Sequence, residues 1–200
     1  MLFIIAGAAL ILTYEKGNEI LYVSQIHTHF FNQFFIWVSR FAELPLLLLI
    51  VLVAFVSNYG NAILILLSFV VNGAITQFLK AVIFTDQVRP IIFFEGKANL
   101  NLVDGLQMLH NHSFPSGHTS SAFAVLFMIA LLSKDKRWGL LLFVGALLVG
   151  ISRVYLMQHF FRDIYFGSIL GVLVSVVVYL AATNSNYYSE LSWREKRIIK

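Results

Sequence analysis

Two short strings in this chain combine residue types able to grip and attack a phosphate: Pro115-Ser116-Gly117-His118, and Ser152-Arg153 followed by His159 and Asp163. In the first, proline and serine precede a long apolar run, the pattern of a helix start. The free amides and positive dipole end of such a start put Ser116, Gly117 and His118 at an anion site, and glycine lets the backbone approach a phosphate closely. Pro-Ser-Gly also reads as a plain helix cap. His118, at the mouth of such a site, is able to donate a proton to a departing oxygen near neutral pH. In the second string Arg153 closes an apolar run, and His159 and Asp163 stand four residues apart, which on a helix stacks one above the other. The aspartate then accepts one ring N–H, fixes the tautomer and leaves the other nitrogen as nucleophile or base. An ordinary His–Asp helix pair has the same spacing. Here both strings border apolar runs and fall on one face of a membrane.

The elements that must position these residues follow from composition. With 59% hydrophobic and 12% charged residues, the 200-residue chain has too little polar surface to cover a soluble globule. It reads as an integral membrane protein of all-α class, because lipid cannot satisfy free backbone groups. Six apolar runs are candidate spans: Leu2–Thr13, Leu44–Val56, Ala62–Leu79, Ser120–Leu132, Trp138–Met157 and Ile164–Ala182. The first, second and fourth are short and must draw on their flanks. The first lacks a basic leader and is followed by Glu15-Lys16 rather than a cleavage site, so it reads as a span and not a signal peptide.

Between the first two spans, Asn18 to Arg40 mixes polar residues with Phe30, Phe31, Phe34, Phe35 and Trp37. That pattern predicts an aromatic-rich amphipathic helix in the interface, the alternative being an extension of the second span. Pro45, Pro90 and Pro115 all fall at predicted helix edges, where a missing amide is tolerated. No Pro/Gly/Ser-rich linker and no repeat divides the chain, so residues 1–200 are expected to form a single membrane-embedded domain.

The absence of cysteine excludes disulfides, thiolate metal sites and a cysteine nucleophile. A net charge of +4 sits in clusters between spans, where topology and anionic lipid account for it better than nucleic acid, which is excluded as a partner. One side of the six spans carries seven basic residues: Lys134, Lys136, Arg137, Arg194, Lys196, Arg197 and Lys200. The other carries Lys16, Arg40, Lys80, Arg89, Lys97, Arg153 and Arg162, of which three belong to the candidate site, leaving four. Seven against four predicts cytoplasmic termini and motif-bearing loops on the outer side of a cytoplasmic membrane. His110 and His112 near Asp104, and the pair His27 and His29, lack the spacing of a zinc hydrolase, so no metal or cofactor is expected. Arg162 has the position of a headgroup contact or a snorkelling side chain. Asn72, Thr76 and Gln77 suit interhelical hydrogen bonds or a substrate path. Gly167 and Gly171 form a G-x-x-x-G of the kind that packs helices closely within a chain or between copies in a homodimer.

Taken together the motifs resemble the signature of the type 2 phosphatidic acid phosphatases, relatives of the vanadium haloperoxidases: a lysine before Arg-Pro, then Pro-Ser-Gly-His, then Ser-Arg-x5-His-x3-Asp. The second and third parts match at every fixed position, and the signature region runs from Lys80 to Asp163. The first part departs, since eight residues rather than six separate Lys80 from Arg89-Pro90, and Lys97 is the alternative lysine. The resemblance implies a metal-independent lipid phosphatase in which His159 attacks phosphorus, Asp163 orients it and His118 protonates the leaving oxygen. Water then frees the phosphohistidine. Lys80, Arg89, Arg153, Ser116 and the Gly117 amide would hold the equatorial oxygens, and fixed donors there stabilise charge without reorganising. The implied substrates are lipid phosphomonoesters or pyrophosphates such as undecaprenyl diphosphate, phosphatidylglycerophosphate, phosphatidic acid or lipid A. A lipid phosphotransferase, or a non-catalytic binding or transport protein, are the alternative readings.

Overall fold

The computed structural model describes residues 2–185, Tyr188 and Lys196, all helical or irregular, with no strand among the described residues. The helices are Leu2–Thr13 (α1), Asn18–Gln25 (α2), His29–Arg40 (α3), Leu44–Ser57 (α4), Tyr59–Phe78 (α5), Pro90–Phe93 (α6), Gly117–Leu132 (α7), Trp138–Tyr155 (α8) and Phe161–Thr183 (α9). A π-helical turn, Leu79–Ile83, continues α5. Three segments are long and apolar enough to cross a bilayer: Tyr59–Ile83, α8 and α9. The pair α3 and α4, bent by 52° at the break between them, supplies a fourth if it acts as one broken span. The runs expected as the first and fourth spans form helices of only 12 and 16 residues. At 1.5 Å per residue these fall short of a hydrocarbon layer about 30 Å thick.

The single amphipathic helix expected over Asn18–Arg40 is instead two. Thr28 adopts an extended conformation and caps α3 by accepting from the Phe31 amide, while the His27 ring lies 3.0 Å from the Tyr155 carbonyl at the end of α8. The break therefore ties the segment to α8, where an unbroken helix could not turn to meet it. On α3, Phe30 and Trp37 point outward, 72% and 60% exposed, while Ser39 is buried toward α8.

At the centre lies α7, packed against α5, α8 and α9. The G-x-x-x-G pair faces α7 inside this chain: a Cβ at Gly167 would meet the Ser116 carbonyl at 2.8 Å, and one at Gly171 would collide with the Ser120 carbonyl. These glycines are thus spent on intrachain packing. Polar residues on α5 hydrogen-bond between helices, Asn72 Nδ2 donating to Ser120 and Ser121 Oγ and Thr76 pairing with Ser120. Because Asn72, Thr76 and Ser120 are buried away from water, their bonds fix the register of α5 on α7. Arg194, Arg197 and Lys200, which enter the orientation count, lie outside the described residues.

Candidate active site

Five chain segments bring the signature residues together. The π-helical turn after α5 carries Lys80, and the α6 start carries Arg89. The α7 start carries Ser116, Gly117 and His118, the last turn of α8 carries Arg153, and the α8–α9 connection into α9 carries His159 and Asp163. The expected stacking of His159 and Asp163 on one helix is corrected. Helix α8 ends at Tyr155, Met157 takes a left-handed conformation at φ 52°, and α9 begins only at Phe161, so His159 sits in the connection. Asp163 lies at the third position of α9, where its Oδ2 accepts from the Phe160 amide at 3.0 Å and caps the helix.

Lys80 reaches the site despite its unusual spacing. The π-helical turn closes with the Phe84 amide donating to the Leu79 carbonyl, and the Lys80 ammonium lies 3.9 Å from where a Gly117 Cβ would stand. An inserted residue in a helix is accommodated as a π turn of this kind. Lys97, by contrast, is exposed and stacks its ammonium 4.5 Å from the Phe93 ring.

Arg89 is held on one side of its guanidinium: Nε donates to the Asn111 carbonyl at 3.0 Å, and Nη1 to the carbonyl and side-chain oxygen of Gln158 at 3.0 and 3.2 Å. Burial lowers its pKa to about 10, with Asp163 opposing, so it stays charged at neutral pH. Arg153 donates from Nη1 to Ser39 Oγ, and its Nε is buried with no acceptor among the described residues. An arginine left with an unsatisfied buried donor is poised to receive an anion.

His159 is 1% exposed, with Nε2 3.4 Å from Arg89 Nη1. A guanidinium only donates, so Nε2 must present its lone pair and the ring proton belongs on Nδ1. Nδ1 faces Asp163 Oδ2 at 3.6 Å, an ion-pair distance that is too long for a hydrogen bond. Burial, and then the charges of Arg89, Arg153 and Lys80, hold the His159 pKa well below its ordinary value, while the Ser113 backbone pulls the other way. The ring is thereby kept neutral, in the form a nucleophile requires.

Asp163 is fully buried, and Ser113 Oγ donates to the same Oδ2. Its other oxygen, Oδ1, lies 3.7 Å from Arg162 Nε, and Arg162 also donates to Gln87. Ser116 is fully buried, and its oxygen accepts from the amide and hydroxyl of Thr119, which leaves its own hydroxyl proton to donate. Its amide donates to the Asp163 carbonyl at 3.0 Å, joining the α7 and α9 starts. Burial, and then the charges of Arg153, His159, Lys80 and Arg89, lower the pKa of His118, half-buried on the first turn of α7, to about 3, so it holds the proton of an acid only when a bound anion offsets those cations. A cavity of about 410 Å³ lined by Gln77, His110 and His112 opens on Lys80 and Arg89.

Ser39, Gln87, Ser113 and Gln158 escape any motif, because each acts through a contact far away in sequence. Among the described residues no three His, Asp or Glu side chains gather as a metal site. What the arrangement offers is a neutral imidazole lone pair, three cations and the α7 amides, all converging where a tetrahedral anion would sit.

Residues 61–187, more than half of the chain, match the model of the PAP2 superfamily. The chain belongs to the PAP2 superfamily. It is 36% identical over 81 residues to the bacitracin transport permease protein BcrC of Bacillus licheniformis, covering 40% of this chain and 39% of that protein. Lipid phosphate phosphatase 1 of Arabidopsis thaliana is 30% identical over 151 residues, covering 63% of this chain and 46% of the relative. Phosphatidylglycerophosphatase B of Bacillus subtilis strain 168 is 34% identical over 129 residues, covering 59% and 56%. The matches thus span between 39% and 56% of the length of these relatives. The PAP2 fold is shared with Aquifex aeolicus LpxE, at TM-score 0.73 and 22% identity over 84% of this chain and 98% of that one. It is also shared with a PAP2-type phosphatidylglycerolphosphate phosphatase from Bacillus subtilis, at TM-score 0.64 and 23% identity over 93% and 95%.

Proposed function

We propose that this PAP2 protein is a lipid phosphatase that hydrolyses a lipid phosphomonoester or pyrophosphate through a phosphohistidine. The observation that carries the reading is the buried His159 ring, neutral, with its Nε2 lone pair beside Arg89 and its Nδ1 toward Asp163. A binding protein needs cations but no oriented nucleophile. In the first step His159 Nε2 bonds to phosphorus as the ester or anhydride P–O bond breaks, and His118 gives its proton to the departing oxygen. Asp163 stabilises the positive charge that develops on the ring. In the second step water attacks phosphorus, its proton passes to His118, the P–N bond breaks and phosphate leaves. Arg89, Arg153 and Lys80, with the Gly117 amide and the Ser116 hydroxyl, hold the three equatorial oxygens throughout.

The chemistry calls for no metal, since fixed cations supply the charge. Names among the relatives point to lipid phosphates as the substrate class, and undecaprenyl diphosphate, phosphatidylglycerophosphate, phosphatidic acid and lipid A are the members to assay. We place the protein in the cytoplasmic membrane as one domain over residues 1–200. Both termini then face the cytoplasm and the site faces outward, the arrangement favoured by the basic-residue count. Six membrane-embedded helices follow if α1, α7 and the bent α3–α4 pair share the bilayer with the three long ones.

The test is phosphate release from those four lipids in detergent with EDTA present, comparing wild type with His159→Ala. Release by the wild type, and a loss of about 10³-fold or more in the folded variant, is the expected result. Activity that survives the substitution, or that requires a divalent metal, overturns the mechanism. Phosphate transferred to an acceptor lipid in place of free phosphate would make the protein a phosphotransferase.

A further inference from the structure

We infer that Glu19, far from the signature in sequence, is a positioning residue for the His159–Asp163 pair. This inference rests on the histidine phosphatase reading above. The Glu19 carboxylate bridges two backbone amides: Oε1 accepts from the Phe161 amide at 2.9 Å, and Oε2 accepts from the Gly17 amide at 3.0 Å. Phe161 is the first residue of α9, two positions after His159 and two before Asp163. Its amide is one of those a helix start leaves without an internal partner. Glu19 therefore fastens the α1–α2 turn to the point in the chain between the proposed nucleophile and its carboxylate.

The same turn grips that point a second time. Lys16 sets its ammonium 4.2 Å above the Phe160 ring and 4.9 Å above the Phe93 ring, and Phe160 is fully buried. Burial is the largest cause lowering the Lys16 pKa, followed by Arg162, while Asp163 and Glu19 raise it. The turn is shaped for this contact: Gly17 has φ +102°, and a Cβ there would meet the Phe94 ring at 2.6 Å. Only glycine takes that conformation at little cost.

The consequence for chemistry lies in what Asp163 is left free to do. An acidic residue at the third position of a helix reaches back to the N-cap amide, here Phe160, and the Phe161 amide is the next free donor beside it. With the Phe161 amide already taken by Glu19, Asp163 Oδ2 serves only the Phe160 amide and Ser113, and it keeps its approach to His159 Nδ1. Without Glu19, the Phe161 amide competes for that carboxylate, and the α9 start loses its tether to the first two helices. A displacement of this kind acts on the reacting geometry and leaves the phosphate-holding cations in place.

The experiment measures kcat and KM for wild type, Glu19→Ala, Glu19→Gln and Glu19→Asp on the lipid that the wild type hydrolyses best. His159→Ala serves as the control, and rates are normalised to active sites counted as phosphohistidine trapped by an alkaline denaturing quench, in which the P–N bond survives. Glu19→Ala should lower kcat per site by about 10- to 100-fold with KM within about twofold, the scale of a misplaced catalytic group. Glu19→Gln, which keeps an acceptor for the Phe161 amide, should recover most of the rate. Glu19→Asp, too short to bridge both amides, should lose several-fold. A purely structural role would reduce the number of active sites and leave kcat per site unchanged, and that result overturns the inference. If Glu19→Ala does not fold, wild-type kcat in folded Glu19→Asp overturns it equally. Activity in His159→Ala would instead sink the phosphohistidine mechanism beneath it.

Discussion

The α7 and α9 starts meet in the site, joined by the Ser116 amide donating to the Asp163 carbonyl, yet they are finished in opposite ways. At α9 the free amides are taken by internal anions, Glu19 on Phe161 and Asp163 on Phe160. At α7 the cap is a neutral serine whose oxygen reaches only Thr119, and among the described residues no protein group accepts from the Gly117 or His118 amides. Two positive helix ends would compete for one phosphate. Closing α9 with carboxylates leaves α7, with Lys80 beside it, as the start at which the proposed phosphate would be held. The proposed nucleophile, His159, stands just before the closed end, beside Arg89.

The largest expected effect comes from closing the open end. A Cβ at Gly117 would meet nothing nearer than Thr76 Cγ2 at 3.8 Å and Lys80 Nζ at 3.9 Å, so there is room for a side chain. Gly117→Asp places a carboxylate beside that ammonium, and an acidic residue in a first helical turn is itself favourable by about 0.3–1 kcal/mol. The variant should therefore keep the wild-type Tm or exceed it in detergent, while phosphate release falls by about 10³-fold and vanadate no longer inhibits. Gly117→Ala, the steric control, should lose far less than the aspartate variant, since it crowds the phosphate without adding a charge. Full activity in the aspartate variant would show that the open start holds no phosphate.

How much of this contrast was legible in the sequence differs between the two ends. The α7 start was readable because its residues are contiguous, Pro115 to His118, and local spacing encodes local structure. At α9 the residues were recognised but their arrangement was not: a four-residue spacing implies one helical face, whereas His159 lies outside the helix. No local pattern announces a break at Met157, the only described residue besides His112 and the glycines with a positive φ. Glu19 was illegible altogether, since its partner is 142 residues away. The spans divided similarly. Hydropathy located the six apolar runs and marked the first and fourth as short, but it could not say that their flanks fail to lengthen α1 and α7, because helix length there is set by caps and packing.

A smaller effect separates the two lysines that sequence spacing left in competition. Lys80→Ala should lower kcat/KM by about 100-fold, as expected for removing one fixed donor to a transferring phosphoryl group. Lys97→Ala should change it by less than about twofold, since that ammonium packs on Phe93 at the surface. Reversal of the two outcomes in a phosphate-release assay would mean that the π-helical turn does not deliver Lys80 to the open α7 end. The design then would rest on Arg89 and Arg153 alone.

The smallest effect is in the acid limb of the pH profile, and it tests the closed end. Reaction through Nε2 needs the neutral ring, so kcat/KM falls as pH drops through the His159 pKa of the free enzyme. Burial and the three cations put that pKa well below the ordinary value of 6.5. An unperturbed histidine would cost about fourfold in rate at pH 6.0. Here the loss at pH 6.0 should stay under about twofold, once the substrate's own second ionisation near pH 6 has been divided out. Linkage fixes the companion sign. The unfolded chain takes up a proton below about pH 6.5 and the folded His159 does not, so stability declines as pH falls from there toward the depressed folded pKa. His159→Asn should flatten that decline in a detergent unfolding series. An acid limb at the ordinary histidine value, with stability level through it, would mean that the cations facing the open end do not reach the ring held at the closed one.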